Sequence, residues 1–110
     1  MISLVEQNRA AIEAACRRHG VRRLELFGSA SDEATFDAAR SDVDFLVSFA
    51  PGADLGPWLA VYFDLRDDLE RTLDRPVELV METAMRSPLF RREADRTRQV
   101  IYAAQDSEAA

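Results

Sequence analysis

Apolar and polar residues along this chain change period several times, and each change marks an element. From Ser3 to His19, Leu4, Ile12, Ala15 and Cys16 recur at spacings that share one side of a helix. Ser3 followed by Glu6 reads as a capping box and Gly20 as a stop, so a helix is predicted over 3–19. Residues 22–27 alternate instead, with Leu24 and Leu26 on one face of a strand and Glu25 and Phe27 on the other. The polar stretch 30–41 reads as a loop with a helical turn near Asp32 to Ala34. Residues 43–49 are apolar and β-rich, a strand buried on at least one face. Pro51 and Gly52 break the chain. Trp58, Leu59, Tyr62, Leu65, Leu69 and Leu73 then repeat at helical spacing and predict a helix over 55–73, with Pro57 in its first turn. Asp74-Arg75-Pro76 turns the chain into a third strand, 77–81. Ser87-Pro88 predicts the start of a last helix, 88–103, with Leu89, Phe90, Ala94, Val100 and Ile101 on its apolar side.

The predicted order is α-β-β-α-β-α. It implies an α/β protein of the α+β type, a small mixed sheet backed by helices on one face. At 110 residues the chain suits one domain, expected over 1–104, with a polar tail, 105–110, that frays. Its net charge of −6 argues against generic nucleic-acid binding, which needs a cationic footprint, and suits a metal or a basic partner. One cysteine, Cys16, cannot form an internal disulfide; its place in the apolar stripe predicts a buried thiol. No apolar run is long enough to span a membrane and no leader pattern opens the chain, so the cytoplasm is expected.

The chemistry concentrates between Leu26 and Phe49. The first strand runs into Gly28-Ser29, twelve residues intervene, and the second strand opens with Asp42-Val43-Asp44. Side chains two apart on a strand share a face, so Asp42 and Asp44 present two carboxylates together. Such a pair suits magnesium, which is commonly held by one or two carboxylates plus substrate phosphates. Gly28 permits close approach of backbone to a ligand, and amide groups with the Ser29 hydroxyl suit phosphate oxygens.

This G-S-x12-D-x-D pattern, together with Arg75-Pro76-Val77-Glu78-Leu79-Val80, resembles the nucleotidyltransferase superfamily that includes DNA polymerase beta. The chain is most similar to its smallest branch, the minimal nucleotidyltransferases known as MNT-type antitoxins. The resemblance runs from the first helix through the last. It implies transfer of a nucleoside monophosphate, here AMP from ATP, with two magnesium ions about 3.5–4 Å apart. Asp42 and Asp44 would bind both ions. Glu78 would hold the ion that activates the acceptor and could serve as general base. Gly28 and Ser29 would contact the β/γ-phosphates. The implied partner is a HEPN-type ribonuclease toxin, neutralised by AMP attached to a tyrosine hydroxyl, by binding, or by both.

Three departures bear on activity. An Arg-x-Gly-type element commonly follows the Gly-Ser; here Ala30-Ser31-Asp32-Glu33 places two acids near the phosphates. The loop is two residues longer than is common, and Arg40 is the candidate replacement cation. The third acid is Glu78 where Asp is common. A binding antitoxin without useful catalysis, and a transferase for a small hydroxylated molecule, are the competing readings. Arg86, Arg91, Arg92, Arg96 and Arg98 form a local basic stretch, read as a solvated face pairing with Glu93 and Asp95. His19, before the helix-ending glycine, reads as a surface residue with no catalytic part.

Overall fold

The computed structural model describes residues 1–37, 42–84 and 87–104. Four strands form one sheet in the order β3-β2-β1-β4. β1 (Val21–Phe27) pairs antiparallel with β2 (Val43–Phe49) on one side and with β4 (Gln99–Ala103) on the other. β2 and β3 (Val77–Met81) run parallel. A parallel pair needs a crossover, and α3 (Ala60–Leu73) makes it.

The strand period of two sorts the side chains. Leu24, Leu26, Val43, Phe45, Val47, Val77 and Leu79 point to one face. There they pack against α1 (Ser3–Gln7), α2 (Arg9–Arg18) and α3 through Val5, Ile12, Ala15, Cys16, Leu65, Leu69 and Leu73. Burying each Leu or Ile here contributes about 1.5–3 kcal/mol. The intervening residues point to the other face. Phe27, Leu46 and Ala94 form a second, smaller cluster there, with Val80 against it. Ala94 belongs to α4 (Pro88–Asp95), which covers part of that face, with Phe90 edge-on to Phe27. The rest of it carries the polar residues of interest.

Several expectations hold and several are corrected. The three predicted strands are present, and the α+β fold with a mixed sheet backed by helices is confirmed. Ser87 caps α4, its Oγ accepting from the Phe90 N–H at 3.3 Å, with Pro88 in the first turn. The predicted first helix, 3–19, is two helices broken at Asn8, whose side-chain amide donates to the Leu4 carbonyl at 2.8 Å. Ser3 and Glu6 form no capping box: Ile2 is the cap residue. The Ser3 N–H and hydroxyl both donate to the Glu33 carboxylate, at 2.7 and 3.0 Å. A long-range acid has taken the capping role.

The predicted helix over 55–73 begins later, at Ala60. A 3-10 turn, Pro57–Leu59, precedes it, and Trp58 and Leu59 adopt left-handed backbone at φ 57° and 56°. That break shifts the helical phase, so Trp58 is 92% exposed instead of in the core stripe. The predicted last helix, 88–103, ends at Asp95, and 99–103 is β4. The Val100-Ile101-Tyr102 run is β-branched and aromatic, and pairing with the open edge of β1 outweighs helix continuation. Ile101 is buried in the main core while Val100 is exposed.

Cys16 is fully buried, and burial first, with Glu13 adding, pushes its thiol up to about 12. His19 is not simply a surface residue. Its Nε2 lies 2.7 Å from Asp68 Oδ2, with Arg18 and Arg71 on the same carboxylate, so it ties the end of α2 to α3. Those bonds, His19 first, lower the Asp68 pKa.

Candidate active site

The register of the sheet assembles the site. Asp44 pairs with Glu78 across the parallel β2–β3 ladder and with Phe27 across the β1–β2 ladder. Asp44 and Glu78 are therefore neighbours on the face away from α1–α3, and Asp42 lies two residues before Asp44 on the same side. Asp42 and Glu78 are exposed and Asp44 is half-buried. The Asp44 carboxyl is pushed up from 3.8 to about 6, by burial first, then by Glu78 and Asp42. Three acids thus feel one another along one row.

Gly28 closes the row from the β1 side. It sits at φ +78°, and a Cβ there would stand 2.7 Å from Asp44 Oδ2. Glycine is required both for the backbone angle and for the space the carboxylate occupies. Beyond it the chain forms a 3-10 turn, Gly28–Ser31. This turn is held from several directions. Ser31 Oγ donates to the Gly28 carbonyl and Thr35 Oγ1 to the Ser29 carbonyl, each at 2.8 Å. The Ile2 N–H donates to the Ala30 carbonyl at 3.1 Å, and Ala30 is fully buried. The Gly28 N–H donates to Thr97 Oγ1 at 2.9 Å, joining this turn to the segment between α4 and β4.

Two hollows flank the carboxylates. One, about 470 Å³, is walled by Gly28, Ser29, Ser31, Asp32 and Thr35 on one side and by Arg96, Thr97, Arg98 and Gln99 on the other. The second, about 210 Å³, is walled by Asp42, Glu78 and the flanking Val77 and Leu79, with Tyr62 and Arg66 of α3. Tyr62 donates its hydroxyl to the Leu79 carbonyl, and the Arg66 guanidinium lies 5.2 Å from the Phe63 ring centroid.

The structure thus brings Asp42, Asp44, Glu78, Gly28 and Ser29 to one region of the sheet. Arg40 and Arg86 lie outside the described residues, as does the tail 105–110. Sequence reading missed the wall at 96–99, because it placed those residues in a helix. It also missed Tyr62, which periodicity assigns to the apolar stripe of the helix, and Arg66. The β-branched and aromatic run Val100-Ile101-Tyr102 was the available signal for the first.

Of the two acids that replace the expected cation, Glu33 is drawn to the start of α1, and the Ser3 hydrogen bonds lower its pKa. Asp32 lines the larger hollow. The basic stretch pairs as expected with Glu93 and Asp95, through Arg96 at 3.3 Å and Arg98 at 2.7 Å. Arg98 also reaches Glu82 at 3.1 Å and the buried Glu25. The Glu25 bond, then Asp95, raises the Arg98 pKa.

The donor set is of the kind a hard divalent cation takes, carboxylate oxygens on neighbouring strands. Among the described residues no three acidic, His or Cys side chains already enclose an ion-sized space. Asp42 and Glu78 are exposed, and a cation would offset the burial and then the repulsion from Glu78 and Asp42 that raise the Asp44 pKa. On the chemistry of its donors, the row fits such an ion.

No protein-family model matches the sequence, and no curated protein matches it. Solved structures do. A protein assigned to the minimal nucleotidyltransferases is 29% identical, with a TM-score of 0.69, over 89% of this chain and 95% of that one. The chain is also similar to a Shewanella oneidensis structure, a tri-AMPylated HEPN toxin in complex with MNT antitoxin. There the identity is 21% and the TM-score 0.61, over 94% of this chain and 76% of that one. A toxin–antitoxin structure with AMP-PNP matches at 22% identity and a TM-score of 0.65, over 93% of this chain and 78% of that one. The chain has the fold of the minimal nucleotidyltransferases. Among the described residues no helix is long and apolar enough to cross a membrane.

Proposed function

We propose that this chain is an MNT-type antitoxin: a magnesium-dependent nucleotidyltransferase that moves AMP from ATP to a tyrosine hydroxyl of a HEPN-type toxin. The observation that carries this reading is the row Asp42, Asp44 and Glu78 set beside Gly28, whose missing Cβ leaves room for the Asp44 carboxylate. The neighbours seen with HEPN toxins supply the partner class.

In the reaction the acceptor oxygen forms a bond to the α-phosphorus, the bond to the bridging oxygen breaks, and pyrophosphate leaves. Metal ions held by Asp42, Asp44 and Glu78 would neutralise charge on the attacking and leaving oxygens. The chain's own residues provide the frame. The Gly28–Ser31 turn and Ser29 hold the phosphate end, and the tie from the Gly28 N–H to Thr97 keeps both walls of that hollow in register. Glu78, on the far side of Asp44, is placed to accept the acceptor's proton as the new bond forms. The smaller hollow beside Glu78 then receives the hydroxyl.

Asp32, in the wall of the larger hollow, favours a second reading. Its charge would weaken nucleotide binding, leaving a protein that neutralises by covering its partner. Co-expression with a HEPN protein and measurement of that protein's intact mass decides between them. Whole-AMP increments with wild type, absent with Asp42→Asn/Asp44→Asn, are expected. An unmodified toxin that co-purifies equally with both forms overturns catalysis and leaves binding.

A further inference from the structure

The larger hollow contains two cations among its described lining residues, and they are not equivalent. Arg98 is enclosed: its side chain is 22% exposed and it serves Glu25, Glu82 and Asp95. Removing it from that set for a ligand would leave the buried Glu25 with only the more exposed Arg23, at 3.3 Å, as countercharge. Arg96 has a different environment. Its side chain is 70% exposed and it bonds Glu93, itself 61% exposed, at 3.3 Å. An exposed pair of this kind contributes little and is readily exchanged for a stronger anion.

Position favours the exchange. Arg96 directly precedes Thr97, whose hydroxyl accepts from the Gly28 N–H at 2.9 Å. Its backbone is thus held one residue from a contact on the Gly-Ser turn. A second bond, the Thr97 N–H to the Ala94 carbonyl at 3.0 Å, secures the same segment to the end of α4. Arg96 lines the hollow opposite Ser29, Ser31 and Thr35. Arg96 and the Gly28-Ser29 turn thus line one hollow, where a polyphosphate would lie between them.

We infer that Arg96 supplies, from the far end of the chain, the phosphate-binding cation missing after Gly28-Ser29. This rests on the nucleotidyltransferase reading above. Arg96 binds the terminal phosphates of the nucleotide and exchanges Glu93 for them. A planar guanidinium suits this, since it offers two parallel N–H donors to phosphate oxygens. It also offsets Asp32 on the opposite wall.

The test is calorimetric titration of the intact protein, with magnesium present, using ATP, inorganic tripolyphosphate and AMP. Wild type, Arg96→Ala, Arg96→Lys and, as a control on α4, Arg92→Ala are compared. Arg96→Ala is expected to weaken ATP and tripolyphosphate by about 10- to 100-fold, the range for a lost hydrogen bond to a charged group. Binding of AMP changes little, Arg96→Lys recovers part of the loss, and Arg92→Ala behaves as wild type. Equal affinity of wild type and Arg96→Ala for ATP overturns the assignment while leaving the nucleotidyltransferase reading in place. An equal loss for AMP and ATP also overturns it, since the contact would then not be to the terminal phosphates. Wild type that binds neither ATP nor tripolyphosphate overturns both.

Discussion

The two hollows beside the carboxylate row are built in opposite ways. The smaller is made mostly by a helix and the strand it leads into, Tyr62 and Arg66 of α3, then Val77, Glu78 and Leu79 of β3, with Asp42 added from just before β2. The larger joins segments far apart in the chain, Gly28–Thr35 and Arg96–Gln99, through the hydrogen bond from Gly28 to Thr97. Between them stands Asp44, whose pKa is raised by burial first and then by repulsion from Glu78 and Asp42. Among the described residues, the acids come from neighbouring strands, while the cations of the larger hollow, Arg96 and Arg98, come from a distant segment. This difference predicts that substitutions on the two sides will fail differently.

The largest effect is expected at the shared centre. Asp44→Asn should lower AMP transfer by about 10³-fold or more, on the scale of removing a principal stabiliser of transition-state charge. Its effect on stability has the opposite sign. The folded-state pKa is raised, from 3.8 to about 6, so the folded protein holds this proton more tightly than the unfolded chain. The stability it contributes is full below pH about 4 and is lost as pH rises to about 6. With a metal chelator at pH 8, Asp44→Asn should therefore melt higher than wild type, and the difference should shrink at pH 4. Coincident melting curves at both pH values would remove the repulsion argument.

Gly28→Ala comes next. The methyl would sit 2.7 Å from the Asp44 carboxylate, on backbone at φ +78° that alanine adopts with strain. Asp44 must turn away, so transfer should fall by about 10²-fold, consistent with the cost of a displacement near 1 Å. Gly20→Ala is the informative control. Its φ is +70°, but nothing lies within 4 Å of the new methyl. It should show the strain in a urea melt without the loss of transfer.

The third contrast lies within the larger hollow. Arg98→Ala leaves the buried Glu25 with only the more exposed Arg23 and should cost about 1–3 kcal/mol, read from urea denaturation. Arg96→Ala should change stability by less than about 0.5 kcal/mol, as for a surface residue. Equal losses would mean that the two arginines share one structural task.

How much of this was legible follows the same division. The shared face of Asp42 and Asp44 and the facing of Leu24 against Glu25 were legible because strand alternation is local, whereas Glu78 was reached through the resemblance carried by 75–80. Gly28-Ser29 was legible as a motif, and the reason for its glycine became visible only with Asp44 across the ladder. The capping of α1 was not legible, because Glu33 reaches it from a loop thirty residues away. Trp58 was misplaced because two left-handed residues interrupt the helical phase without any glycine at those positions. β4 was misread because the helix begun at Ser87-Pro88 was carried on into Gln99–Ala103, whose own β-branched and aromatic run pairs with the edge of β1.

The smallest expected effect tests the other hollow. Tyr62 donates its hydroxyl to the Leu79 carbonyl, next to Glu78 on the exposed edge of the sheet. Tyr62→Phe keeps the ring and its edge-on contact with Phe63, and removes one hydrogen bond. The cost to stability should be about 1 kcal/mol. The edge strand that carries Glu78 is then less firmly held, while the turn at Gly28–Ser31 and its tie to Thr97 are untouched. Transfer to the protein acceptor should therefore fall by about fivefold, the rate equivalent of that one hydrogen bond, with ATP affinity unchanged. Arg96→Ala should give the converse, weaker ATP with little change in the acceptor's apparent affinity. Measuring both constants for both variants establishes whether the carboxylate row divides the site into a phosphate side and an acceptor side. If Tyr62→Phe weakened ATP as much as the acceptor, the two hollows would be one continuous site, and the division drawn from their separate walls would not hold.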